Sequence, residues 1–251
     1  VTSRYLEVPS DDPERVQQVI GFEVGEEIRL PLEEISWDSL GFQRSETGTR
    51  VLWLAARKSS VQEILEDIPE RIPAVSMITP ALVGSATLAT PTISEKPEEA
   101  AIVIDVQRSA ATLLVQDANG VFYARSVAAI AGEDAEVKSN GTADLAQTLS
   151  REVTRTRIYA QQRFQSLNIS RVLVVGEGSE SLTKEMRLTR GLYAEAVGTG
   201  DALSSLGLQK KDAAQVPAEN ACLVAAAIRR LTEGDRVPSF APPAAVGALS
   251  K

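Results

Sequence analysis

The chain has 251 residues, of which 43% are hydrophobic, and its formal net charge at pH 7 is −8. That length and apolar content allow either one large domain or two small ones, each with a packed core. The sequence has no histidine and one cysteine, which excludes histidine-based catalysis, histidine metal ligands and an intrachain disulfide. No basic stripe of the kind that binds nucleic acid is present, so we expect no nucleic-acid partner.

Residues 1–71 are predicted to form a compact α+β unit with the element order β-α-β-β-α. Apolar residues recur every three or four positions in its helices, and Pro13 stands in the first turn of the first helix. The last strand is apolar almost throughout, which indicates that both of its faces are covered. The predicted elements are a strand at 4–8, a helix at 12–27, strands at 34–43 and 50–57, and a helix at 59–68.

Two segments are predicted to be less regular. Residues 72–99 have room for a strand at 74–78 and a short helix after Pro80, followed by a polar, proline-broken linker from Thr90. The tail at 233–251 contains three prolines followed by small residues, so it is predicted to be disordered or extended.

Residues 100–232 show the order strand, strand, strand, helix, strand, helix, and end in a third, very apolar helix. Asn119 and Gly120 stand between two β-rich runs, which is a strong hairpin signal. The fourth strand ends in a Gly-Glu-Gly-Ser turn at 176–179. The predicted strands are at 101–104, 112–115, 121–127 and 171–175, and the predicted helices are at 142–164, 181–190 and 218–231.

Short motifs lie at residues 6–9, 22–23, 30–34, 37–38, 55–58, 122–125 and 149–155. Together with the order of the elements, these motifs resemble the PilM family of type IV pilus assembly proteins, in the FtsA and PilM branch of the actin-like ATPase superfamily. The resemblance covers about residues 4–231. It implies an α/β fold, with an actin-like (ribonuclease H-like) half-fold at 100–232 and an SHS2-like insert domain at 1–71. Residues 72–99 would then be a linker and a remnant of the first actin-like subdomain.

By this resemblance, the chain starts after the family's first phosphate-binding hairpin and has a degenerate nucleotide site. Gln107 stands where the second hairpin would have glycine, and Glu177 places a carboxylate beside the expected ligand. We therefore expect no bound cofactor, with ATP and Mg²⁺ possible only if the missing N-terminal region is restored. The candidate residues of this degenerate site are Asp105, Ser109, Gly176 and Gly178.

Each of these residues also has a purely structural interpretation. Asp105 is either the magnesium-directed carboxylate of the superfamily or a side chain that holds the turn after its strand. Gly176 and Gly178 either admit a nucleotide or simply turn a strand into a helix. No catalytic residue and no metal ligand is assigned.

The resemblance implies a bacterial cytoplasmic scaffold, peripheral to the inner membrane, in a type IV pilus or type II secretion assembly platform. Such a scaffold would bind a short peptide of a membrane-anchored, PilN-like partner in a groove beside the insert domain, where a peptide can pair with a sheet edge. In the alternative interpretation, the acidic candidates are solvated surface charge and the tryptophan is part of the core. The candidate partner-binding residues are Phe22, Glu23, Glu34, Trp37 and Asp38.

Two alternatives stay open. In the second hypothesis, the chain is a nucleotide-binding actin-like ATPase whose N-terminal phosphate loop is absent from this sequence. A third hypothesis is the cytoplasmic part of a secretion protein in which a membrane span follows Lys251.

Overall fold

A computed structural model of the chain describes most of the sequence. The described residues are 1–45, 48–68, 75, 77–93, 95–96, 99–107, 110–128, 141–164, 167–233 and 237–240. The chain divides into two compact units, one formed by Val1–Pro80 with Glu233–Lys251 and the other by Ala81–Thr232.

The first unit contains a three-stranded antiparallel sheet and two helices. Its elements are β1 (Thr2–Val8), α1 (Pro13–Ile28), β2 (Ile35–Ser45), β3 (Gly48–Arg57) and α2 (Lys58–Glu66). The strand order is β1-β3-β2, so the apolar strand lies in the centre of the sheet. The predicted order β-α-β-β-α is observed.

Helix α1 begins and packs as its sequence pattern indicates. The Asp12 side chain accepts a hydrogen bond from the Glu14 backbone N–H at 3.0 Å and caps the helix. The apolar stripe of α1 lies on one face of the sheet against β3. Trp53 is completely buried there. The buried core of this face consists of Val8, Val16, Ile20, Val24, Ile35, Val51, Trp53 and Ala55.

Part of the C-terminal tail packs within the first unit. Val237 and Phe240 are both buried, with 1% and 6% of their surfaces exposed. The predicted disordered or extended tail therefore contains a packed segment, because two large apolar side chains gain by leaving water. Residues 241–251 lie outside the described residues, and so do residues 74 and 76 of the strand predicted at 74–78, whose described residues 75, 77 and 78 are not part of a strand.

The second unit is built on a five-stranded mixed sheet. The strand order is β6-β5-β4-β7-β8, in which β4, β7 and β8 are parallel and β5 runs antiparallel to both β4 and β6. Its elements are α3 (Ala81–Ala89), β4 (Glu99–Val106), β5 (Ala110–Gln116), β6 (Val121–Ala128), α4 (Gly141–Arg163), β7 (Asn168–Val175), α5 (Ser179–Arg190), β8 (Glu195–Ala196), α6 (Thr199–Ser205), α7 (Lys210–Ala213) and α8 (Ala221–Glu233).

Helices cover the sheet of the second unit. The crossovers that contain α4 and α5 run in the same direction along the sheet, so right-handed connections place both helices on one face. These two helices also contact each other. Helix α3 packs on β4, β5 and β7, and every residue from Leu82 to Ala89 is buried. The segment predicted as a remnant and linker at 72–99 thus contributes a core helix to the second unit.

Candidate functional site

The carboxyl ends of β4 and β7 form the place where an α/β sheet of this topology usually binds a ligand. The chain leaves β4 towards β5 and leaves β7 towards β8, so the two connections diverge at this point. Asp105 lies near the end of β4, and Gly176 directly follows β7. A Cβ atom on Gly176 would lie 2.9 Å from the Val106 carbonyl oxygen and 3.7 Å from Asp105 Oδ1. Two predicted site residues therefore meet.

The Asp105 carboxyl group is turned inward. Only 2% of the residue is exposed. The Ser85 hydroxyl of α3 donates to Asp105 Oδ2 at 2.7 Å, and the Gln107 side-chain amide donates to the same oxygen at 3.0 Å. Burial raises the pKa of Asp105 above its ordinary value of 3.8, although the two hydrogen bonds act in the opposite direction. This carboxyl group joins α3 to β4.

The single cysteine, Cys222, lies beside this cluster. Its Sγ atom is 3.6 Å from the Ser85 hydroxyl oxygen. Burial, followed by the charge of Asp105, raises the pKa of the Cys222 thiol to about 11. A thiol with this pKa is protonated at neutral pH, so Cys222 is a poor nucleophile.

The Asp105 carboxyl group is already engaged by other side chains of the protein. The carboxylate that would direct Mg²⁺ is bonded to Ser85 and Gln107, and its burial opposes the ionised form. Gly178 is exposed, with open space where a Cβ atom would stand and a φ of 74°. Ser109, the fourth predicted residue, lies outside the described residues. The arrangement is that of an internally bonded turn.

The stability of the Asp105→Asn variant, relative to that of the unmodified protein, should increase as the pH rises. Because the folded-state pKa of Asp105 is raised, its stabilising contribution is complete below the unfolded pKa near 3.8 and is lost as pH rises through the folded pKa. The Asp105→Asn variant has no such loss. Urea denaturation of both proteins between about pH 4 and pH 7 measures the difference. A difference in stability between the two proteins that does not change with pH would contradict the raised pKa of Asp105.

The five predicted partner-binding residues do not share one surface. Phe22 is 67% exposed on the outer side of α1, and Glu34 is exposed in a 3₁₀ turn before β2. Glu23 and Trp37 are half-buried, and Trp37 packs on the core of the α1 face. Asp38 follows Trp37 in β2 and so points to the opposite face of the sheet.

A cleft of about 780 Å³ opens at the end of the first unit where β1 begins and β3 ends. Ile28 of α1, Val61 and Ile64 of α2, and Phe240 contribute apolar side chains to its walls. Ile64 is 52% exposed. The sequence showed Ile64 on the apolar stripe of its helix but gave no sign that this stripe borders a cleft.

Among the helices of the described residues, none combines the length and the apolar character that crossing a membrane requires.

Comparison with known proteins identifies the fold. No protein-family model matches the chain, and no curated protein matches it in sequence. A chain of a PilM–PilN type IV pilus biogenesis complex matches the structure with a TM-score of 0.65 and 18% identity, over 91% of this chain and 76% of that chain. The likeness is one of fold. It confirms the α/β, actin-like fold class and the resemblance to the PilM family that the sequence predicts.

Looser structural matches include two proteins with TM-scores below 0.5. One is a protein with the actin-like ATPase fold from Bacteroides thetaiotaomicron, with a TM-score of 0.38 and 12% identity over 82% of this chain and 70% of that chain. The other is the cytoplasmic domain of EpsL, an inner-membrane component of the type II secretion system of Vibrio cholerae. Its TM-score is 0.41, with 11% identity over 69% of this chain and 56% of that chain.

Proposed function

We propose that this chain is a scaffold of a type IV pilus or type II secretion assembly platform. It acts at the cytoplasmic face of the inner membrane and binds a short peptide of a membrane-anchored, PilN-like partner. The fold shared with a chain of a PilM–PilN complex supports this proposal. The observation that carries it is the open cleft of the first unit, since the apolar side chains in its walls can take up apolar side chains of a peptide.

A nucleotide has no part in the proposed function. The candidate magnesium-directing carboxyl group of Asp105 is buried and bonded to Ser85 and Gln107. A scaffold of this kind needs binding and no catalysis.

The test is titration of a fluorescent peptide that copies the N-terminal cytoplasmic segment of a PilN-like partner. We expect saturable binding at micromolar concentration. Ile64→Glu should weaken it by about 10-fold or more, because a carboxylate placed against the apolar side chains of the bound peptide loses hydration. Ile64 is half exposed, so the variant should still fold.

The matched control is Leu188→Glu on α5 of the second unit. Leu188 is 71% exposed and does not line the cleft, so its replacement should leave the peptide affinity unchanged. Millimolar Mg·ATP should change neither the affinity nor the melting temperature, since a ligand stabilises only a protein that binds it. The proposal fails if the unmodified chain does not bind the peptide, and the cleft is the wrong site if both variants weaken binding equally.

A further inference from the structure

Residues 237–240, here called the C-terminal strap, are hydrogen-bonded to the rest of the first unit. The Ser239 backbone N–H donates to Asp38 Oδ2 at 2.8 Å. The Ser239 hydroxyl accepts from the Ile78 backbone N–H at 3.3 Å, and the Phe240 backbone N–H donates to the Ile78 carbonyl oxygen at 2.7 Å. The strap is thus held by a side chain of β2 and by the backbone at Ile78.

The strap forms part of the wall of the cleft. Phe240 lines the cleft together with Ile78 and with Val61 and Ile64 of α2. Phe240 is 6% exposed, so its ring is packed in place. The shape of the cleft therefore depends on where the strap is held.

Asp38 is suited to hold the strap. Its Oδ1 atom accepts from the Ser39 backbone N–H at 2.8 Å, while Oδ2 accepts from the Ser239 N–H. Two backbone donors thus share one carboxylate, and a charged acceptor makes stronger hydrogen bonds than a neutral one. Asp38 itself does not line the cleft.

We propose that Asp38 is a positioning residue for peptide binding: it anchors the C-terminal strap, and the anchored strap holds Phe240 as a wall of the cleft. The role of Asp38 in peptide binding rests on the proposed function, whereas the anchoring of the strap by Asp38 does not. It assigns Asp38 an indirect role, in contrast to the direct partner contact that the sequence predicts.

The experiment combines amide hydrogen exchange with the peptide titration, on the full chain. Asp38→Ala should raise the exchange rates of the Ser239, Phe240 and Ile78 amides by about 10-fold, because loss of a charged acceptor releases the strap. The same variant should weaken peptide binding by about 10-fold. Asp38→Asn keeps one acceptor oxygen and should lie between the two proteins in both measurements.

Two further variants separate anchoring from loss of folding. Asp117 accepts from the Asn119 and Gly120 backbone N–H groups at 2.7 and 2.9 Å in the second unit, so Asp117→Ala removes an equivalent carboxylate far along the chain. It should leave strap exchange and peptide affinity unchanged. Phe240→Ala retains Asp38 and should weaken peptide binding about as much as Asp38→Ala does.

The outcomes are distinguishable. Unchanged exchange at Ser239 and Phe240 in the Asp38→Ala variant would overturn the anchoring. Faster exchange with unchanged peptide affinity would overturn the role of the strap in binding. Failure of the unmodified chain to bind the peptide would overturn the proposed function and the positioning role together, while the exchange rates would still decide whether Asp38 anchors the strap.

Discussion

Gly84→Ala is expected to destabilise the second unit by about 3 kcal/mol, the upper part of the usual range for overpacking a core. A Cβ atom at Gly84 would lie 2.0 Å from the Cys222 carbonyl oxygen and 2.6 Å from the carbonyl carbon. Both are backbone atoms of α8, so no side-chain rotation can relieve the clash. Helices α3 and α8 would have to move apart, which urea denaturation followed by circular dichroism would detect.

Gly200→Ala is the matched control for that prediction. Gly200 also lies in a helix of the second unit, α6, but a Cβ atom there would make only ordinary contacts of 3.8 Å or longer. Alanine favours the helix more than glycine does, so the stability should stay the same or rise by up to about 1 kcal/mol. Equal stability of the Gly84→Ala and Gly200→Ala variants would show that the close helix approach does not exist.

Local patterns were sufficient to predict most of the elements. The hairpin signal at Asn119 and Gly120 is borne out, since β5 and β6 on either side of the turn pair antiparallel and the Asn119 and Gly120 N–H groups both donate to Asp117. The meeting of Asp105 and Gly176 also follows from the order of the elements, because both lie at the carboxyl ends of two adjacent parallel strands. Periodicity and turn chemistry act over a few residues, and these features need no more.

Contacts between distant parts of the chain could not be predicted in this way. Ser239 and Asp38 are 201 positions apart, and the composition around Ser239 is that of a disordered tail. The short helix after Pro80 was predicted, but nothing in its sequence showed that Ser85 would bond to Asp105 or that Gly84 would touch α8. These contacts depend on how complete elements pack together.

A binding site is harder to predict from sequence than a fold, for the same reason. A motif shows which residue types stand together in sequence, whereas a binding surface depends on which faces they occupy. Trp37 and Asp38 are neighbours in the chain and point to opposite faces of β2. The cleft draws its walls from α1, α2, β3 and the strap, and no single segment shows that pattern.

Glu152→Gln is expected to destabilise the protein by about 2 kcal/mol, because it leaves the guanidinium group of Arg125 without its carboxylate. The Glu152 side chain on α4 is 8% exposed and lies 2.5 Å from Arg125 of β6 and 2.7 Å from Arg155. Arg125 and Glu152 belong to two separate motifs of the family resemblance, so these motifs meet in one ion pair. Urea denaturation of the variant measures the cost.

A double-mutant cycle distinguishes this ion pair from an ordinary surface contact. The double variant Glu152→Gln with Arg125→Gln should be less destabilised than the sum of the single variants, because neither charge is then left alone. Arg155→Ala should cost less than about 1 kcal/mol, since 71% of the Arg155 side chain is exposed and water screens its charge. If the two single-variant costs simply add, the ion pair does not couple α4 to β6.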